Sequence, residues 1–243
     1  MAQAQCFLPR TAAEGARNAC DDTLAGLVAE VSGIVDDPAV GEPEIVRALW
    51  RGLLAAGAAT RLPALADCAR LSFGPGQESA ALPADVQHGP TDAFLLPGHG
   101  RVRLLPDLAA LRRMADGTGR GRARFAAAGG GRLHVRPVPE VAVEIAVGYH
   151  RLPDALVAPS DKPSCLPPHL AGRLLVSFAC RDIFERLEEG ADGKKPQTRA
   201  YGARFEAALA ELVGLFGPAT TQDEPVDIPR GPVDPRPFGE DWP

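Results

Sequence analysis

Apolar residues recur at helical spacing near the start of the chain, in two series separated by a turn. The first series runs from Leu24 to Val35, follows residues that suit a helix N-terminus, and ends before Pro38. The second runs from Ile45 to Leu54 and follows a first turn that contains proline and two glutamates. The spacing predicts two short amphipathic helices joined by a tight turn, which is an αα-hairpin.

A second pair of helices is predicted towards the end of the chain. One begins at Pro168, and its apolar side is formed by Leu170, Leu174, Leu175, Phe178, Ile183 and Leu187. The other opens near Pro196 and ends at Gly217-Pro218. Its apolar residues are Tyr201, Phe205, Leu209, Leu212, Val213 and Phe216. Neither hairpin can bury its apolar stripe alone, so the two are expected to pack together.

Glycine and proline interrupt the chain between Leu71 and Arg136, and only short segments there have strand character. The clearest strand follows at residues 140–151, where apolar and other residues alternate over about ten positions. The alternating apolar residues are Val141, Val143, Ile145, Val147 and Tyr149. This pattern predicts a strand with one face towards a core and one towards solvent or a neighbour.

These patterns predict an α+β protein: a four-helix bundle made of two helix hairpins, with an inserted small β domain and an extended C-terminal arm. The predicted segments are an N-terminal arm at 1–20, a first helix hairpin at 21–70, a β region at 71–157, a second hairpin at 158–217 and the arm at 218–243. The arm holds seven prolines and six acidic residues against two arginines, so it cannot form a core alone. It nevertheless keeps apolar residues that are predicted to dock elsewhere: Ile228, Val233, Phe238 and Trp242.

Charge is distributed unevenly along the 243 residues, although the formal net charge is only −5. Residues 99–136 hold nine arginines against Asp107 and Asp116. Seven of these form the predicted basic patch: Arg101, Arg103, Arg112, Arg113, Arg120, Arg122 and Arg124. The opposite charges of patch and arm favour association between subunits or with a partner protein. The alternative is a nucleic-acid-binding protein that uses residues 99–136, although Phe125 is the only interleaved aromatic residue there.

Residues that support catalysis or metal binding are scattered along the sequence. The five histidines stand singly, no serine lies in a GxSxG motif, and the five cysteines form no CxxC pair. We therefore expect no catalytic site, no metal and no cofactor, and the chain is not expected to be an enzyme. No apolar run approaches the roughly 18 to 20 residues that span a bilayer, so no membrane contact is expected.

Five short motifs follow one another in a set order along the chain. The first motif is residues 23–31 with the acidic turn 36–38, the second is residues 45–49, and the third is residues 133–139. The fourth is residues 149–156, followed by the turn 161–163 and by residues 166–176. The fifth consists of Tyr201, Phe205, Ala208, Leu209 and Leu212. Together these motifs, which span residues 23–217, resemble those of the head-to-tail adaptor proteins of tailed bacteriophages. One departure is Leu152, which changes the usual neighbour of Arg151.

The resemblance implies a structural virion protein, made in the cytoplasm of a bacterial host and located at the head–tail junction. It implies a homo-oligomeric ring, commonly of twelve subunits, beneath the portal protein, with neck or tail components attached below. DNA would pass through the bore. We expect the basic patch either to make non-specific contact with this DNA or to pair with acidic neighbouring subunits. We expect the C-terminal arm to reach the portal or an adjacent subunit, with Phe238 and Trp242 as apolar anchors.

Overall fold

A computed structural model of the protein describes residues 22–97, 100–114, 119–188 and 195–219. Within these ranges the chain forms five α-helices, and the α+β class is confirmed. The helices are α1 (Leu24–Val35), α2 (Glu42–Ala59), α3 (Leu108–Met114), α4 (Pro168–Leu187) and α5 (Pro196–Phe216). All except the short α3 were predicted from the spacing of apolar residues.

The strands lie between α2 and α4 in sequence and form two four-stranded sheets. They are β1 (Ala66–Phe73), β2 (Ser79–Ala81), β3 (Val86–Leu96), β4 (Gly100–Arg101), β5 (Arg103–Leu104), β6 (Phe125–Gly129), β7 (Arg132–Arg136) and β8 (Val143–Arg151). One sheet has the order β1-β8-β3-β4 and the other has the order β2-β7-β6-β5. Neighbouring strands are antiparallel except for β5 and β6, which run parallel.

A distant loop holds the beginning of α1 in place. The side chain of Thr23 caps the helix by accepting a hydrogen bond from the amide of Gly26 at 3.2 Å. The amide of Leu24, the first residue of the helix, donates to the carbonyl of Asp161 at 2.8 Å. The carboxylate of Asp161 in turn accepts from the amides of Val157 and Ala158 at 2.9 and 2.8 Å. The loop that leads into α4 therefore completes the cap of a helix more than 120 residues earlier.

The four long helices share one hydrophobic core. Leu27 of α1, Leu49 of α2, Leu174 of α4 and Leu212 of α5 are all fully buried in it. Helix α4 contacts the other three, so its buried surface extends beyond the predicted apolar stripe to residues such as Ala171 and Ala179. Leu187, by contrast, is 43% exposed instead of lying on the buried side as predicted, because it ends the helix.

A second, separate core lies between the two sheets. Ile145 and Val147 of β8 are fully buried against residues of the other sheet, including Leu133 and Val135 of β7. The alternation predicted for β8 is thus confirmed from Val143 onwards. Val141, which was assigned to the same buried face, is 67% exposed because the strand begins only two residues later.

We expect Leu174→Ala to lower the free energy of unfolding by about 2–5 kcal/mol, because it leaves a cavity at the point where α4 meets its neighbours. Leu215→Ala is the matched control, since Leu215 is 55% exposed on α5 and its loss should change stability by less than about 0.5 kcal/mol. Chemical denaturation followed by circular dichroism measures both values. Equal effects of the two substitutions would contradict the central position of α4.

Candidate interaction surfaces

All seven arginines of the predicted basic patch are exposed, and they lie between β4 and β6 in the sequence of the β region. They lie on β4, on β5, on α3 and in the segment that leads into β6: Arg101, Arg103, Arg112, Arg113, Arg120, Arg122 and Arg124. The structure places Arg103 beside Arg124, which lies 21 positions later in sequence. Contact of the seven arginines with a partner or with DNA stays a prediction.

The chain crosses from one sheet to the other at Val102, and this crossing determines the positions of Arg101 and Arg103. Arg101 pairs with Phe94 in the first sheet, and Arg103 pairs with Phe125 in the second. Between them Val102 is buried, and its amide donates to the carbonyl of Ala93 at 2.9 Å. Alternation along an extended segment therefore turns the valine into the sandwich core and both arginines outwards.

Arg122 and Arg124 lie beside this crossing. A Cβ atom at Gly100 would overlap the guanidinium of Arg122, so glycine leaves the space that this side chain occupies. The carbonyl of Arg124 accepts from the amide of Arg103 at 2.8 Å. We call Arg101, Arg103, Arg122 and Arg124 the basic edge, because all four lie where β4 and β5 meet the segment before β6.

A polar cleft of about 560 Å³ opens between the basic edge and the end of α2. Its lining includes Arg61, Arg101 and Arg103, together with Thr91 and Asp92. The carboxylate of Asp92 already accepts a hydrogen bond from the amide of Gly148 at 3.0 Å. The Nε atom of Arg61 is buried and has no hydrogen-bond partner among the described residues. The cleft therefore has an excess of positive charge and suits a carboxylate or a phosphate.

None of the seven patch arginines forms a salt bridge with a carboxylate in the described ranges. Arginines elsewhere in the same β region do: Arg136 pairs with Glu78 at 2.9 Å, and Arg151 pairs with Asp154 at 2.6 Å. Each of these pairs lowers the pKa of its carboxyl group through the hydrogen bond from the arginine. The positive charge of the patch thus remains available to an anionic surface outside this part of the fold.

Sequence reasoning missed Arg61, because it lies 40 positions before Arg101 and outside the arginine-rich segment. Near Arg61, the feature of the sequence that could have drawn attention to it is the end of helix α2 at Ala59. The predicted arm residues Ile228, Val233, Phe238 and Trp242 lie outside the described residues. The described chain ends at Ala219, whose amide donates to the carbonyl of Ala59 at 2.9 Å, so the arm departs beside the cleft.

The junction between α2 and the first sheet is polar and contains two histidines. Nε2 of His88 lies 2.7 Å from the carbonyl of Gly57, and the side-chain amide of Gln87 donates to the carbonyl of Leu54 at 3.1 Å. His150 of β8 lies next to His88, with their ring centroids 6.2 Å apart. Burial lowers the pKa of His150 below its usual range, and the neighbouring His88 and Arg61 act in the same direction.

The remaining titratable groups offer little chemistry in the described part of the chain. Burial raises the pKa of the Cys180 thiol to about 12 and also raises that of Cys165, so both thiols stay protonated. No group of three or more histidine, cysteine, aspartate or glutamate residues is placed there to hold a metal ion. Nor does any helix in the described ranges have the length and apolar character needed to cross a bilayer.

The lowered pKa of His150 predicts a loss of stability in mild acid. Between the folded-state pKa and the ordinary value of about 6.5, the unfolded chain binds more protons, so the free energy of unfolding falls as pH falls below about 6.5. His150→Gln should flatten this dependence, because it removes the buried imidazole. Thermal unfolding from about pH 7.5 to about pH 5 measures it; a curve for this variant that runs parallel to that of the unchanged protein would contradict the assignment.

Comparison with known proteins identifies the family. No curated protein sequence matches the chain significantly. The family described as "SU10 adaptor protein" matches residues 22–230, which is most of the chain and includes both helix pairs and the β region. This match confirms the resemblance to phage head-to-tail adaptors that the motifs indicated. The chain belongs to the SU10 adaptor protein family, a family of phage adaptor structural proteins.

Proposed function

We propose that the protein forms a ring of twelve identical subunits beneath the portal of a bacteriophage head and joins the portal to the neck or tail. The family match over residues 22–230 carries this proposal. DNA passes through the bore of the ring, and the protein resides at the head–tail junction of the virion after synthesis in the host cytoplasm. Its role is structural.

The charge distribution supports lateral assembly. The basic edge projects from one side of the β region, while residues 220–243 carry six carboxylates and two arginines. Two different and complementary surfaces on one subunit make heterologous contacts, in which one surface of a subunit binds the other surface of its neighbour. Such contacts close into a ring when the rotation between subunits allows it. Exposed arginines without partners in the described chain also suit transient, non-specific contact with DNA in the bore.

We further propose a domain organisation for the subunit, with a separate role for each segment. Segments 21–65 and 158–217 form a four-helix bundle that serves as the rigid body. Residues 66–157 form an inserted β domain, which begins five residues earlier than predicted from the sequence because β1 starts at Ala66. The N-terminal segment 1–20 and the acidic segment 218–243 are arms. The shared core of α1, α2, α4 and α5 supports this division, and so does the separate core between the two sheets.

Co-expression with the portal protein of the same phage tests the proposed role. We expect the two proteins to co-purify, and negative-stain electron microscopy should show a collar with twelvefold symmetry on the portal. A monomer that ignores the portal and retards duplex DNA in a gel would instead favour a nucleic-acid-binding protein, which uses the same arginines for phosphates.

Phe238→Ala and Trp242→Ala should weaken portal binding, because each removes an apolar anchor of the proposed arm contact. Loss of a hot-spot residue costs about 2 kcal/mol or more, so each dissociation constant should rise by about thirtyfold or more. Val141→Ala is the control, since Val141 is 67% exposed and does not belong to the arm segment 218–243. Isothermal titration calorimetry provides the dissociation constants, and unchanged values in both arm variants would contradict the anchoring role.

A further inference from the structure

The C-terminal arm leaves the described chain beside the basic cleft. Thr60, which is fully buried, forms a β-bridge with Pro218, and its hydroxyl donates to the carbonyl of Gly217. The amide of Ala219 donates to the carbonyl of Ala59. Arg61, the next residue after Thr60, lines the cleft. The last described residues of the arm, Pro218 and Ala219, are therefore held beside Thr60, the residue that precedes a cleft arginine.

The first charged residues of the arm are all acidic. Asp223, Glu224 and Asp227 precede the first arginine, which is Arg230. The cleft opposes them with three arginines, against the single carboxylate of Asp92. Because Asp92 already accepts a hydrogen bond from Gly148, it competes weakly for the guanidinium groups. Cleft and segment are thus complementary in charge, about plus two against minus three.

The distance between the two is within reach of the chain. Asp223 lies four residues after Ala219, a stretch that spans up to roughly 14 Å when extended at about 3.5 Å per residue. A segment tethered this closely has an effective concentration in the millimolar range, well above that of a neighbour in dilute solution. Tethering therefore favours contact within one chain before any ring forms.

We infer that the acidic segment 223–227 occupies the cleft lined by Arg61, Arg101 and Arg103 of its own chain. The contact pairs the guanidinium groups that line the cleft with carboxylates. It also screens part of the basic edge from phosphates and from acidic surfaces of other proteins. This inference does not depend on ring assembly or on the portal, because it concerns the free subunit.

Carbodiimide cross-linking of the full chain tests the contact directly. The reagent joins a carboxylate to a primary amine in contact with it, so Arg101→Lys and Arg103→Lys together place amines in the cleft while keeping its charge. The chain has only three lysines of its own, Lys162, Lys194 and Lys195, so the background is low. We expect mass spectrometry of the monomer band to link residues 223–227 to position 101 or 103, and the yield to fall in high salt.

The matched control places the same amines on α3, outside the cleft, through Arg112→Lys and Arg113→Lys. We expect a yield at these positions that is lower by about tenfold, since a specific site raises local contact well above random encounter. Equal yields in the two variants, cross-links confined to the dimer band, or no cross-link to residues 223–227 would each overturn the inference.

Binding of a fluorescent duplex DNA provides an independent readout. Replacing Asp223, Glu224 and Asp227 by Asn, Gln and Asn should uncover the cleft and tighten binding by about threefold to tenfold beyond the effect of charge alone. The same three changes at Asp234, Glu240 and Asp241 remove equal charge from the same arm and report the effect of charge alone. Equal tightening by both triple variants would mean that no acidic segment screens the cleft. The ring and the portal contact, which are tested separately, would be unaffected by that result.

Discussion

Burial of helix α4 is the constraint on which the rest of the described fold depends. Leu170, Leu174 and Ile183 are fully buried because α1, α2 and α5 all pack against this one helix. Since α4 follows the entire β region in sequence, the chain must return to the first hairpin before that hairpin can bury its leucines. The loop around Asp161 makes the return specific, because it supplies acceptors to the first amides of α1 as α4 begins.

The two cores are joined by polar contacts rather than by a continuous apolar interface. Gln87 and His88 reach the carbonyls of Leu54 and Gly57, and a Cβ atom at Gly57 would collide with the Gln87 side chain. A close approach of this kind holds the sheets at one position on α2. It also ties the stability of the junction to the protonation of His150, whose burial disfavours the charged imidazole.

The helices could be predicted from sequence because their leucines repeat at a period that few other structures share. In the β region the alternation of β8 could be predicted, but the strand order could not, for reasons visible in particular strands. Irregular register in β3 between Val86 and Asp92 breaks its alternation, and β4 and β5 are two residues long each. The arginine-rich segment was evident from the composition of residues 99–136. The cleft could not be predicted, because Arg61 lines it only through the position of α2 against the first sheet.

Some arginines of the β region pair with a carboxylate of the described chain and others do not. This difference points to contacts outside the described fold. Arg136 on β7 pairs with Glu78, so carboxylates are available in this part of the fold. Arg101 on β4 and Arg103 on β5 have no such partner among the described residues, and the cleft between them and Arg61 is where we infer that the acidic segment 223–227 binds. An exposed ion pair contributes little to stability, so a contact of this kind can be exchanged for one with another anionic surface. Without a fixed carboxylate partner in the described fold, the two arginines keep a field that can steer an anionic partner, which is a larger effect at an interface than in an isolated fold.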